Sequence, residues 1–234
     1  GIVSDHRNLD KVVSGIMTSL IHRGPDFQSK FIKKNLALAH TRLSIIDTNE
    51  RANQPMLDTS SKYTIVYNGE IYNFLDLKKE MINDDIFFKT NSDTEVILNG
   101  YRDYGIKFFK KLRGFYSFCI FNHEENSLIL ARDQLGKKPL YYSQVNSEFI
   151  FASEIRPLIN AIENKQNINL DNISHYLWKG YYAHGETIYS SVKSILPGEI
   201  AKFDISLKSL TRISLDKFKI SISNSFPNRN LNLI

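Results

Sequence analysis

Cysteine and tryptophan occur once each in these 234 residues, proline six times and glycine eleven. A single cysteine, Cys119, excludes an internal disulfide framework and fits a reducing compartment. So little proline and glycine excludes a collagen-like or low-complexity chain. No apolar run approaches the roughly 20 residues that a membrane-spanning helix needs. The first residues also lack a signal-peptide core, so the expectation is a cytoplasmic protein with no membrane partner. The six histidines show no zinc-type spacing, and a metal site is not expected. A G-x-S-x-G elbow is missing, and Gly136-Lys137-Lys138 lacks the earlier glycine of a phosphate loop. Cys119 sits inside an apolar run, where a thiol is core filler rather than a nucleophile.

The composition that remains, 42% hydrophobic and 24% charged, is enough to bury a core. Net charge is +5, but it is concentrated: residues 206–234 carry +4 and residues 1–205 only +1. That last segment also holds ten Ser or Asn, which weaken regular structure. The expected organisation is therefore a domain over 1–205 and a basic tail over 206–234. With the charge outside the body, basicity is no argument for a nucleic-acid partner.

Apolar residues at Val12, Val13, Ile16, Met17 and Leu20 predict a helix with one buried face, stopped by Gly24-Pro25. Strands are predicted at Leu36–His40 and Tyr63–Tyr67, the second closed by a tight turn at Asn68-Gly69. A short helix follows Asn73, with Phe74, Leu77 and Met81 on one side. Ser92-Asp93-Thr94-Glu95 reads as a reciprocal capping box. It opens a helix that buries Val96, Ile97, Gly100, Tyr101 and Tyr104 and ends at Gly105. Four strands come next, at Phe115–Phe121, Leu128–Arg132, Tyr141–Gln144 and Phe149–Ser153. Phe115–Phe121 is apolar on both alternating faces, so its sheet must be covered on both sides. With further helices expected around Ile155–Ile162 and Ile173–Trp178 to close the body, the class is α+β in a helix–sheet–sheet–helix stack.

The polar residues at element ends suggest a chemistry. An arginine such as Arg42 can grip a carboxylate, and Asp93 can hold an ammonium. An Asn68 amide with a Gly69 N–H can form an oxyanion hole. Each also has a plain structural reading, as ion pair, helix-end charge or turn.

These residues stand in an ordered set of blocks: His22-Arg23-Gly24-Pro25-Asp26, Arg42-Leu43-Ser44-Ile45-Ile46-Asp47, Gln54-Pro55-Met56 and Tyr67-Asn68-Gly69-Glu70-Ile71-Tyr72-Asn73-Phe74. Ser92-Asp93-Thr94-Glu95, the run from Ala131 to Tyr142 and Phe151-Ala152-Ser153-Glu154-Ile155 follow in sequence. In that order the chain resembles the N-terminal glutaminase domain of glutamine-hydrolysing asparagine synthetases, which are class II glutamine amidotransferases. The resemblance implies a four-layer αββα sandwich of the N-terminal-nucleophile hydrolase type, with L-glutamine as substrate. It implies that Arg42 holds the glutamine carboxylate and Asp93 its ammonium. Asn68 and Gly69 would stabilise the oxyanion, while Leu43, Ser44, Ile45, Ile46 and Glu70 line the pocket.

The family begins Cys-Gly-Ile, whereas this sequence reads Gly1-Ile2-Val3. The nucleophilic cysteine is therefore expected immediately before Gly1. A chain lacking it would be a catalytically silent homologue that binds glutamine or a partner protein. Asn53 stands where the family has histidine, and Asn122 where it has aspartate. The pyrophosphate-binding Ser-Gly-Gly-x-Asp-Ser motif of the synthetase domain does not occur in the sequence. No cofactor is expected in this chain; ATP and magnesium would belong to a synthetase domain acting in cis or trans, where ammonia amidates aspartate.

Overall fold

A computed structural model describes residues 1–163 and 166–213. Two six-stranded antiparallel sheets form its centre. The first runs β10 (Val192–Ser194), β8 (Tyr141–Val145), β9 (Glu148–Ala152), β1 (Ile2–Val3), β3 (Leu36–Arg42) and β2 (Phe27–Lys33). The second runs β12 (Ser209–Ile213), β11 (Ile200–Asp204), β7 (Ser127–Arg132), β6 (Gly114–Asn122), β5 (Tyr63–Ile71) and β4 (Met56–Leu57).

Three apolar layers hold the stack together. On the outside of the first sheet, Ile2, Ala37 and Ile150 pack with Val13 and Ile16 of α1 (Leu9–Leu20) and Leu158 of α4 (Ile155–Ala161). Between the sheets, Val3, Leu38, Phe149 and Phe151 meet Cys119, Phe121 and Phe203. Outside the second sheet, Tyr67, Phe118 and Ile120 meet Leu77 and Met81 of α2 (Phe74–Asn83) and Val96 and Ile97 of α3 (Asp93–Tyr104). The two dry faces of β6 thus serve two cores: Tyr116, Phe118 and Ile120 face helices, Cys119 and Phe121 face the other sheet. The fold is the αββα arrangement that this pattern requires.

Local chemistry sets the element ends. The Asn8 side chain accepts from Lys11 N at 3.0 Å to start α1, and Gly105, at φ 66°, closes α3 by donating to the Tyr101 carbonyl. At Ser92 the hydroxyl accepts from Glu95 N at 3.3 Å, as a capping box requires, but the return arm differs. Glu95 reaches past Ser92 and accepts from Lys89 N at 2.9 Å and Thr90 N at 2.7 Å, so it ties down the whole entering turn.

Other expectations need correction. Asn68-Gly69 is no turn: β5 runs through it to Ile71, with Asn68 opposite Ser117 and Gly69 opposite Tyr116. Tyr104 is exposed and stacks on Phe108 rather than entering the core. The helix α5 (Leu170–Lys179) contains no buried residue, so it lies on the body instead of closing it. The edge strand β2 carries little sequence signal, because its mostly exposed sequence, with Lys30 and Lys33, has no clean alternation. The boundary expected at 205/206 falls inside the β11–β12 hairpin; residues 214–234 of the expected tail lie outside the described residues.

Candidate active site

Arg42 ends β3 at 6% exposure, and its guanidinium is turned into the following loop. Nη1 donates to the Asn49 carbonyl at 3.0 Å and to Asn53 Oδ1 at 2.6 Å. Nη2 donates to the carbonyls of Ile46, at 3.4 Å, and Asp47. A side-chain grip on a ligand through both Nη groups, the role implied by the sequence, would require this loop to release them. What Arg42 does here is shape residues 43–53, leaving Leu43 and Ile45 exposed, with Ser44 and Ile46 partly so. Ser44 is held by donating its N–H to Asp26 Oδ2 at 2.8 Å.

Asp93 sits in the first turn of α3 at 4% exposure. Its Oδ2 accepts from Tyr67 Oη at 2.7 Å and from Ile71 N at 3.0 Å. Burial raises its pKa above the usual carboxylate value, against the lowering by the Tyr67 hydrogen bond. Both Arg42 and Asp93 are thus buried charges with neutral partners: no ion pair joins either to an opposite charge among the described residues. A short relay connects them. Arg42 bonds Asn53, and the next residue, Gln54, donates to Thr94 Oγ1 at 3.2 Å beside Asp93 and accepts from Tyr67 N at 2.6 Å.

Asn68 and Gly69 continue β5. A Cβ on Gly69 would come within 2.3 Å of the Phe115 carbonyl oxygen, so the close approach of β5 to β6 here requires glycine. Glu70 is exposed. Asn68 lines a cavity of about 70 Å³ whose walls come from α1 and both sheets, together with Gly1, His40, Tyr67, Cys119 and Phe151 among others. Arg42, Asp93, Gly69 and residues 43–46 do not line it. Gly1 is tightly enclosed: a Cβ there would lie 2.5 Å from the Phe151 ring and 3.0 Å from Leu38. Burial pushes the Cys119 thiol well above its ordinary pKa, which fits the core role expected for it.

Sequence reasoning missed His40. Its Nε2 lies 3.0 Å from the Tyr67 carbonyl, and burial lowers its pKa from 6.5 to about 4. The signal available was position alone, since it lies two residues before Arg42 on the same strand. The Arg132-Asp133 block proves structural. Asp133, fully buried, accepts from the N–H groups of Leu135, Lys137 and Lys138, while Arg132 donates to the carbonyls of Gly136, Lys138 and Ile195.

Comparison with known proteins gives the same picture along the chain. The sequence profile of the glutamine amidotransferase domain family matches residues 1–212. Asparagine synthetase [glutamine-hydrolyzing] 1 of Bacillus subtilis is 36% identical over 189 residues, covering 81% of this chain and 30% of that protein. A putative asparagine synthetase of Methanocaldococcus jannaschii is 34% identical, over 82% of this chain and 40% of its own. Asparagine synthetase B of Escherichia coli is 33% identical, with 82% and 35% covered. The chain therefore spans about a third of the length of these relatives. Among solved structures, the glutamine phosphoribosylpyrophosphate amidotransferase of B. subtilis superposes with a TM-score of 0.68 at 19% identity, over 92% of this chain and 49% of that one. That likeness is one of fold.

Proposed function

The chain belongs to the glutamine amidotransferase domain family, and from that membership we propose that it is the glutaminase part of an asparagine synthetase-like enzyme. It hydrolyses L-glutamine to glutamate and ammonia, and the ammonia serves ATP- and magnesium-dependent amidation of aspartate by a synthetase domain in cis or trans. A cytoplasmic setting belongs to the same proposal; no helix among the described residues is long and apolar enough to cross a membrane.

The observation that supports the substrate reading is a buried cation and a buried anion, Arg42 and Asp93, neither of them in an ion pair among the described residues. A buried charge held by neutral hydrogen-bond partners alone still gains from an opposite charge. An α-amino acid offers both countercharges at once, its carboxylate toward Arg42, once the loop yields a guanidinium N–H, and its ammonium toward Asp93. The loop that Arg42 shapes offers the backbone of Leu43 to Ile46 beside the carboxylate. The side-chain amide then extends to Asn68, whose Nδ2 is buried without a partner among the described residues.

The nucleophile in this proposal is a cysteine joined to the Gly1 nitrogen. Gly1 itself has no room for a side chain, and it borders the same cavity as Asn68. The thiolate attacks the amide carbon, and Asn68 with the Gly69 N–H stabilises the oxyanion. As the intermediate collapses, the leaving amide nitrogen takes from the cysteine's α-ammonium the proton that the amine had drawn from the thiol and departs as ammonia, and water then cleaves the thioester to glutamate.

The test is glutamate release by the chain carrying one added cysteine before Gly1, with a chain starting at Gly1 as control. Release by the first alone is the expected result. Arg42→Ala should then raise KM at least tenfold, and Asn68→Ala should lower kcat by roughly 10²–10³. Glutamine binding without release by the cysteine-bearing chain would establish the silent homologue instead.

A further inference from the structure

His40 stands on the first sheet and reaches across to the second. Its Nε2 is 3.0 Å from the Tyr67 carbonyl, and because a carbonyl only accepts, Nε2 carries the hydrogen. Burial keeps the ring neutral. Nδ1 is therefore a bare acceptor, and it is buried with no partner among the described residues. One position along β5 from Tyr67, Asn68 Nδ2 is a buried donor, equally without a partner. Both side chains line the same cavity, whose other walls include Ile16, Leu20, Val66, Leu140 and Phe151. Unpaired buried polar groups are uncommon in folded proteins, and two on one cavity, of opposite hydrogen-bonding sense, set the pattern that a bound group has to match.

That group must accept from Asn68 and donate to His40. A primary carboxamide does both, through one C=O and one NH₂ on a single plane. An ester can satisfy Asn68 but has no hydrogen for His40. A carboxylate would place its own lone pair against Nδ1. We propose that His40 is a specificity-determining residue of this site: Nδ1 accepts a hydrogen bond from the carboxamide NH₂ of glutamine while Asn68 Nδ2 donates to its carbonyl. The same contact disfavours the product, since glutamate presents an oxygen where the amide presented N–H. This rests on the glutaminase reading above and names the residue by which that site tells amide from acid or ester.

The experiment compares binding of L-glutamine and of L-glutamate γ-methyl ester to the 234-residue chain by titration calorimetry, which needs no nucleophile. His40→Gln keeps a donor near the Nε2 position, toward Tyr67, and removes the acceptor at Nδ1. It should weaken glutamine about tenfold, the worth of one hydrogen bond, and the ester less than twofold. Equal weakening of both ligands, or of neither, would overturn the proposal and leave the glutaminase reading intact; the second result would mean that water alone fills the cavity at His40. If the unsubstituted chain binds neither ligand, the glutaminase reading fails and this assignment fails with it. Should His40→Gln not unfold cooperatively, His40→Asn decides. Its Oδ1 restores an acceptor close to Nδ1, so retained preference for glutamine supports the assignment and lost preference sinks it.

Discussion

At the scale of single residues, the site is a set of groups held in unfavourable states. Among the described residues Arg42 and Asp93 are buried charges outside any ion pair, and His40 and Asn68 carry buried atoms with no hydrogen-bond partner. A fold tolerates such groups where a ligand later completes them. His40 gives this a measurable form. The fold accommodates its neutral ring, so the unfolded chain takes up the proton more readily, at 6.5 against about 4. Its contribution to stability is thus fully present above pH 6.5 and lost as pH falls toward 4, by up to about 3 kcal/mol. Urea unfolding at pH 7 and pH 4.5 should show this loss in the unsubstituted chain and a smaller one in His40→Gln. Equal losses in the two chains would show that the ring is not held neutral. Asp93 acts with the opposite sign, because burial raises its pKa. Its contribution is present at low pH and lost as pH rises through the folded-state value, which works against the His40 effect within the acidic range.

At the scale of elements, sequence and structure part where a residue's type suits two conformations. Asn-Gly favours a tight turn, and the same pair sits in β5 because a strand that must approach its neighbour closely also selects glycine. Gly69→Ala separates these uses. In a turn the change would cost only the strain of an unsuitable φ; here φ is 158° and the new methyl also meets the Phe115 carbonyl oxygen at 2.3 Å. The expected cost is about 1–3 kcal/mol by thermal or urea unfolding, and an unchanged midpoint would contradict the close approach. The helices that cover a core were legible from their apolar spacing, α1, α2 and α3 within a few residues. The helix α5 shows why periodicity is insufficient: it has an apolar stripe yet buries nothing, with Leu177 and Trp178 both more than 75% exposed. Leu177→Ser should therefore change stability by less than about 0.5 kcal/mol. A loss comparable to that of a core leucine would mean that α5 is packed. His40 and the Asn53–Gln54–Thr94 relay were beyond sequence reading for a different reason. Their meaning comes from partners 11 to 40 residues away, and only the stacking of two sheets brings them together.

At the scale of the whole molecule, composition misplaced the edge of the domain. Residues 206–213 look like the start of a tail because an exposed edge strand and a solvated tail use the same polar residues. In the structure they complete the second sheet. Each of the five residues of β11 is paired with one of β12, from Ile200↔Ile213 to Asp204↔Ser209. Leu210 packs against the core between the sheets, and Ile213 against the outer core. Two basic residues of this segment serve the body: Lys208 Nζ bonds Asp5 at 2.6 Å and Arg212 Nε lies 2.9 Å from Glu199. Such exposed pairs add little to stability, so the weight falls on the strand and its two apolar contacts. A chain ending at Ile205 should be less stable than one ending at Ile213 by about 2–3 kcal/mol, from the apolar surface that Leu210 and Ile213 return to water. It should also associate as concentration rises, because β11 would become an open edge with Ala201 and Phe203 behind it. Urea midpoints of the two truncations, with sedimentation at two concentrations, measure both effects. Coincident midpoints and a monomeric shorter chain would place the limit of the domain back at residue 205.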